Sequence, residues 1–114
     1  MLVATRKVYE VQVVDLVGTL DSHAAGDIGD QLVAIARGSD KHVLLNLEKV
    51  DYISSAGLRI ILRAAKLLQT AHGELKLCGP QSSVRDVMET AGFDSLLKVY
   101  ETERDAFAAF STPS

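Results

Sequence analysis

The stretch VDYISSAGLRIIL, Val50 to Leu62, joins the features of a strand end to those of a helix start. From Leu58 onward apolar residues recur every three or four positions, which predicts a helix that runs to about Ala71. Two adjacent serines, Ser54 and Ser55, stand at the mouth of that helix. A serine in this position can cap the helix, act as a nucleophile or accept a modification.

Strands are predicted on both sides of this helix. The segment Val43 to Leu47 is short and almost continuously apolar, which is typical of a strand covered on both faces. We expect it at the centre of the sheet, followed by a loop from Glu48 to Ile53. Leu75 to Gly79 indicates a further strand after the helix, so strand, helix and strand would form a right-handed parallel crossover.

The remaining segments predict an α/β domain with a mixed sheet, because strands and helices alternate along the chain. Gly26 and Gly29 weaken the first helix by about 0.5–1 kcal/mol each relative to Ala, which implies close packing or mobility there. We expect one domain, residues 1–114, with 111–114 as a frayed tail. The other predicted elements are one or two strands within Lys7–Leu20 that form a hairpin near an edge of the sheet, a helix over Ser22–Arg37, a capping-box helix opened by Ser83 and Asp86, a strand over Leu96–Tyr100, and a terminal helix opened by Thr102 and Asp105.

Composition narrows the class of protein. The chain has 114 residues, of which 47% are hydrophobic and 24% charged, as in an ordinary globular domain. The first residues lack the apolar run and cleavage site of a signal peptide, and no run approaches ~18 apolar residues, so we expect a soluble, cytoplasmic protein that contacts no membrane. The single cysteine, Cys78, fits a reducing compartment and has no metal-ligand spacing around it. A net charge of -3 and 5% aromatic residues disfavour nucleic-acid binding.

The two serines allow three interpretations. The ordinary one is an N-cap, which stabilises a helix by about 1 kcal/mol. However, the carboxyl end of a central parallel strand is also where α/β sheets place binding sites. Gly57 leaves main-chain amides open to an anion, so a phosphate on Ser55 would lie at the positive end of the helix. A catalytic serine needs a base, for which His23 is the only nearby candidate, and the sequence lacks G-x-S-x-G.

The outward face of the same helix is basic. Arg59, Arg63 and Lys66 follow one another at helical spacing, opposite the apolar stripe and starting at the serine junction. Such a row is ordinarily a solvated face. Because it begins beside a candidate phosphorylation site, it is also a candidate surface for a protein partner.

Three fragments together resemble a known family. They are GTLD at Gly18–Asp21, NLEKVDYISSAGLRIIL from Asn46, and CGPQSSVRDVMETAGFDSLLKVY from Cys78. In order and spacing they resemble the STAS domains, and among these the stand-alone anti-sigma factor antagonists. The resemblance implies a mixed sheet of four or five strands, with four or five helices packed mainly on one side.

The resemblance also implies a partner-switching phosphoprotein of bacterial signal transduction and transcription regulation, not an enzyme. The unphosphorylated antagonist would bind an anti-sigma factor serine kinase of the histidine-kinase-like ATPase type and release a sigma factor. Phosphorylation by that kinase would end the complex, and a PP2C-type phosphatase would restore it. No cofactor or metal is implied, and we expect a monomer or weak dimer.

By position, the resemblance assigns the phosphorylated serine to Ser55, with Ser54 as the alternative acceptor. Asp21 matches the family's acidic residue near that serine, and the partner surface would include Asp21, Ser54, Ala56, Gly57, Arg59, Arg63 and Lys66. Three positions depart from the family pattern: Ser54 replaces an acidic residue, Ala56 a hydroxyl residue and Arg59 a glycine. Two other hypotheses stay open, namely a structural STAS subunit of a transporter or stress-signalling complex, and a small hydrolase using Ser55 and His23.

Overall fold

A computed structural model describes residues 1–111 as a five-stranded mixed sheet with four α-helices and one short 3-10 helix. The helices alternate with the strands after an initial hairpin, as the sequence predicted. The strands are β1 Leu2–Val8, β2 Val11–Leu20, β3 His42–Ile53, β4 Glu74–Cys78 and β5 Lys98–Tyr100; the helices are α1 Ser22–Ala36, α2 Ser55–Thr70, α3 Ser82–Thr90 and α4 Glu103–Ser111, with the 3-10 turn at Phe93–Ser95.

The sheet order follows the chain, β1-β2-β3-β4-β5, so β3 lies at the centre as expected. β1 pairs antiparallel with β2 through a tight turn in which Tyr9 adopts a left-handed conformation with φ of 53°. The other three pairings are parallel. The carboxyl ends of β2, β3 and β4 therefore meet at one edge, where α1, α2 and α3 begin.

The side chains of β3 alternate between two cores. Val43, Leu45 and Leu47 contact the larger core, which is shared with α1, α2 and α3. Leu44 contacts the smaller one, which contains Ala106 of α4. Three helices therefore cover one face and α4 the other, which confirms the α/β class with helices mainly on one side and explains the continuous apolar run.

β3 is longer than the sequence indicated. The predicted loop from Glu48 to Ile53 is wrong, because the strand continues through Ile53 and pairs with β2 as far as Leu20. Irregularities in the register between Asp15 and Thr19 accompany the extension. Val50 and Ile53 point into the core, whereas Asp51 and Tyr52 between them are exposed.

The starts of α3 and α4 test the two capping predictions made from the sequence. The capping box at Ser83 and Asp86 is wrong: α3 starts after Gln81 without a side-chain cap, and the Ser83 hydroxyl donates to the carbonyl of Asp51 at 3.4 Å. The cap at Thr102 is confirmed, because its Oγ1 accepts from the Asp105 amide at 3.1 Å. α4 runs through Ser111, and the rest of the predicted frayed tail, 112–114, lies outside the described residues.

The two glycines of α1 have different surroundings. A Cβ on Gly29 would lie 3.0 Å from Cγ2 of Ile60, so this glycine lets α1 pack closely against α2. A Cβ on Gly26 would meet nothing within 4 Å. The expected close packing is therefore found at one of the two positions.

Candidate functional site

Two helix mouths lie side by side at the carboxyl edge of the sheet. Leu20 and Ile53, the last residues of β2 and β3, are register partners, and each is followed by a capping residue. Asp21 Oδ1 accepts from the Ala24 amide at 2.9 Å in α1. Ser54 Oγ accepts from the Gly57 amide at 3.1 Å in α2. Because the Ser54 amide also donates to the Leu20 carbonyl at 2.9 Å, the start of α2 is fixed to the start of α1.

The structure gives the two serines different roles. Ser54 is half-buried, and its hydroxyl is the N-cap of α2. Ser55 is the first residue of the helix and is exposed, and within residues 1–111 its hydroxyl has no hydrogen-bond partner. The cap interpretation therefore holds for Ser54, and the free oxygen belongs to Ser55.

The amides at the start of α2 are partly available. A helix leaves its first four N–H groups without intrahelical acceptors. Ser54 satisfies two of them, since its Oγ accepts from Gly57 and its carbonyl accepts from Leu58 at 3.0 Å. Over the described chain the amides of Ser55 and Ala56 have no acceptor. These two N–H groups flank the Ser55 side chain.

Gly57 does not serve as an open approach for an anion, because its amide is taken and the residue is buried. A Cβ at this position would come within 2.8 Å of Leu20 Cγ, 3.0 Å of Leu20 O and 3.1 Å of Ile53 Cγ1. The open main-chain amides expected in this turn are therefore those of Ser55 and Ala56, and the amide of Gly57 is not one of them. The missing side chain instead lets α2 start directly against the ends of β2 and β3.

Two neighbours of the serine mouth, the segment Ser54–Gly57 at the start of α2, carry no signal of their role in the sequence. Tyr52, 50% exposed, projects from the end of β3, next to the register partner Thr19 on β2. Thr19 Oγ1 donates to Asp51 Oδ1 at 2.7 Å across the same pair of strands. The local sequence carries no strand signal there, because Val50 and Ile53 are three positions apart, a spacing that departs from the alternation of a strand, and the segment was interpreted as a loop.

The basic face of α2 is confirmed as an exposed surface. Arg59, Arg63 and Lys66 line a surface groove of about 420 Å³, whose sides include Leu62 and Leu67. Within residues 1–111 these three cations form no ion pair. Other cations do: Arg6 pairs with Asp15 and Glu103, Lys7 with Asp40, and Lys76 with Glu74.

Nothing in the described part of the chain assembles a catalytic or metal centre at this mouth. His23 makes no hydrogen bond to Ser55, although both lie in the first turns of neighbouring helices. No group of three or more His, Cys, Asp or Glu residues there is placed to hold a metal ion. Burial raises the pKa of the Cys78 thiol to about 12, so it is a poor nucleophile. Over residues 1–111 no helix is both long and apolar enough to cross a membrane.

The sequence matches the STAS domain family model over residues 3–106, and the chain belongs to that family. It is 41% identical over 97 residues to BtrV, a protein of Bordetella bronchiseptica that is named as an anti-sigma factor antagonist. The match covers 85% of this chain and 84% of BtrV. It is 29% identical over 105 residues to the anti-sigma F factor antagonist of Paenibacillus polymyxa, covering 91% and 90% of the two chains.

Solved structures show the same fold. The anti-sigma factor antagonist SpoIIAA in its unphosphorylated form superimposes with a TM-score of 0.80 at 22% identity, over 99% of this chain and 100% of that one. SpoIIAA of Bacillus has also been solved in a phosphorylated form, with a TM-score of 0.71 at 23% identity over 96% and 99% of the two chains. At these identities the likeness concerns the fold.

Proposed function

We propose that this chain is a cytoplasmic anti-sigma factor antagonist that acts by partner switching, with Ser55 as the phosphorylated residue. The observation that carries the proposal is the exposed, unpartnered hydroxyl of Ser55 at the first position of α2. Ser54 is the weaker acceptor, since its oxygen caps the helix. The curated relatives named as antagonists support the assignment of function.

The proposed partner is an anti-sigma factor serine kinase of the histidine-kinase-like ATPase type. In the modification step the Ser55 oxygen forms a bond to the γ-phosphorus of ATP, the bond from that phosphorus to the bridging oxygen of ADP breaks, and a base of the kinase takes the hydroxyl proton. A PP2C-type phosphatase would hydrolyse the ester with water, which returns the hydroxyl and releases inorganic phosphate. This chain supplies the acceptor oxygen and holds it at the surface.

The switch is electrostatic. A phosphate adds about -1.5 to -2 charges at neutral pH, and an interface that accommodates a hydroxyl does not compensate that charge. A loss of about 4 kcal/mol of binding free energy lowers affinity a thousandfold. Because Ser55 lies outside both cores, the phosphate leaves the packing of the domain unchanged.

The proposed partner surface surrounds the serine mouth. Asp21 and Ser54 hold the two helix starts in place, and Gly57 allows their close approach. Ala56 lies beside Ser55, and the exposed row of Arg59, Arg63 and Lys66 extends the surface down α2. Since these three cations have no acidic partner within residues 1–111, we expect acidic residues on the kinase opposite them.

The proposal is tested with Ser55→Asp, Ser55→Ala and Ser54→Ala, using the candidate kinase encoded nearest this chain in its genome. We expect Ser55→Asp to keep a native circular dichroism spectrum and to lose binding in calorimetry. Ser55→Ala should bind and resist release by ATP. Ser54→Ala is the control for the acceptor oxygen and should still gain one phosphate by intact mass. Binding by Ser55→Asp equal to that of the unmodified protein would refute the switch. Absence of any phosphate would favour the structural STAS subunit.

A further inference from the structure

We propose that Arg59 is the residue that holds the phosphate once Ser55 is modified, so that the switch also withdraws a cation from the partner surface. This inference rests on the proposed function of Ser55. It names the intramolecular ligand of that phosphate, at a position where the family pattern has a glycine.

The helix geometry brings the two side chains together. Ser55 and Arg59 are four residues apart in α2 and both are exposed. Residues at this spacing have Cβ atoms about 5–6 Å apart. Helical side chains lean toward the amino end, so the long Arg59 side chain can reach the turn that contains Ser55. An acidic group four residues before a basic one is also the favourable order on a helix.

Arg59 is available for this contact. Among the described residues it has no carboxylate within ion-pair distance, in contrast to Arg6, which is held by Asp15 and Glu103. Its guanidinium can offer a phosphate two parallel N–H donors, a geometry that lysine lacks. The amides of Ser55 and Ala56, which have no acceptor over residues 1–111, supply further donors on the same side.

The other two cations of the stripe lie too far away. Arg63 is eight residues from Ser55, which corresponds to about 12 Å along the helix axis. Lys66 is a further turn away. A phosphate on Ser55 therefore selects Arg59, while Arg63 and Lys66 stay directed at solvent or at a partner.

The consequence is a switch with two simultaneous effects. Before modification, the free guanidinium of Arg59 can pair with an acidic residue of the partner. After modification, the phosphate adds negative charge at Ser55 and engages Arg59 within this chain. The partner therefore meets a new repulsion and loses an attractive contact at once.

The test installs phosphoserine at position 55 by site-specific incorporation, so that no kinase is needed. The secondary pKa of the phosphate is then measured by a ³¹P NMR titration in the otherwise unmodified chain, in Arg59→Gln and in the matched control Arg63→Gln. Charged groups at the neighbouring element ends, Asp21 and His23 on α1 and Asp51 on β3, are the same in all three proteins. Differences between the titrations therefore report the substituted arginine.

We expect Arg59→Gln to raise the phosphate pKa by about 0.2–0.4 pH unit, because an attached cation favours the dianion, and Arg63→Gln to leave it unchanged. Equal pKa values with and without Arg59, or an equal rise in both variants, would overturn the proposal. Either result leaves the switch at Ser55 standing, since kinase binding is measured separately. Conversely, failure of the kinase experiment does not affect this titration.

Discussion

At the scale of single residues, the geometry of the serine mouth depends on the missing side chain of Gly57 and on the cap that Ser54 provides. Gly57 lies against Leu20 and Ile53 at distances that leave no space for a methyl group. Ser54 caps α2 from the neighbouring position, and its amide is bonded to Leu20. The position of Ser55 is therefore set by its neighbours, and Ser55 itself makes no contact that the fold requires.

Gly57→Ala should lower the free energy of unfolding by about 1–3 kcal/mol, because the added Cβ overlaps Leu20 and forces α2 away from the sheet. The matched control is Gly26→Ala in α1, which meets nothing within 4 Å and should raise stability by about 0.5–1 kcal/mol through helix propensity. Urea denaturation of both variants measures the two changes in the free energy of unfolding, which should have opposite signs. A gain in stability for Gly57→Ala would show that the start of α2 has space for a Cβ at this position.

The sequence could not decide between the two serines. Both are favourable caps, and both precede the same apolar stripe. The choice depends on where β3 stops, which is fixed by the pairing of Ile53 with Leu20 and by the bond between Ser54 and the Leu20 carbonyl. Those contacts join residues that are distant in the sequence, and apolar spacing and capping preferences do not reveal them. The choice of Ser55 therefore came from the family resemblance.

At the scale of elements, α4 is attached to the sheet by a polar contact at its first turn. Glu103 Oε1 accepts from Asn46 Nδ2 at 2.8 Å and pairs with Arg6, which in turn contacts Asp15 at 2.8 Å. Asn46 is only 7% exposed. Its side chain depends on α4 for that bond, because a buried amide without a partner is unfavourable.

Glu103→Ala should therefore destabilise the protein by about 1–3 kcal/mol, since it leaves Asn46 Nδ2 buried and unpaired. Glu101→Ala is the matched control: Glu101 is exposed and makes no hydrogen bond or ion pair within residues 1–111, so its effect should stay within about 0.5 kcal/mol. The difference is measured by chemical denaturation. Equal stability of the two variants would mean that water replaces Glu103 at Asn46 without loss.

The elements themselves were largely predictable, and the exceptions have a common cause. Helices α1 and α2 follow from apolar spacing, and the central strand follows from its continuous apolar run. The second half of β3 is polar on its exposed side and is held as strand by pairing with β2. Likewise, α3 begins where Ser83 bonds to the end of β3, which no capping pattern records. Tertiary contacts determined both.

At the scale of the whole molecule, the two cores lie on opposite faces of the sheet, and Cys78 lies fully buried in the smaller one. Burial raises the pKa of its thiol to about 12, above the value of about 8.5 for an unfolded chain. Folding therefore favours the neutral thiol. Its contribution to stability is constant at neutral pH and is lost progressively as the pH rises from about 9 toward 12.

Above about pH 9, the unfolding free energy of the unmodified protein should fall faster than that of Cys78→Ala, by about 1.4 kcal/mol per pH unit. Burial lowers the pKa of Lys76, an effect of opposite sign that both proteins share. Urea midpoints measured from pH 8 to 10.5 give the two slopes. Parallel slopes would show that the thiol ionises in the folded state as easily as in water.

The isolation of α4 on its own side of the sheet has a practical consequence for measurement. Arg104 is exposed on α4, on the opposite face from α1 and α2. A dye or surface tether attached there would orient every molecule alike on a sensor, with the outer face of α2 directed into the flowing solution. Immobilisation through the outer face of α2 would cover the surface that we propose for the partner.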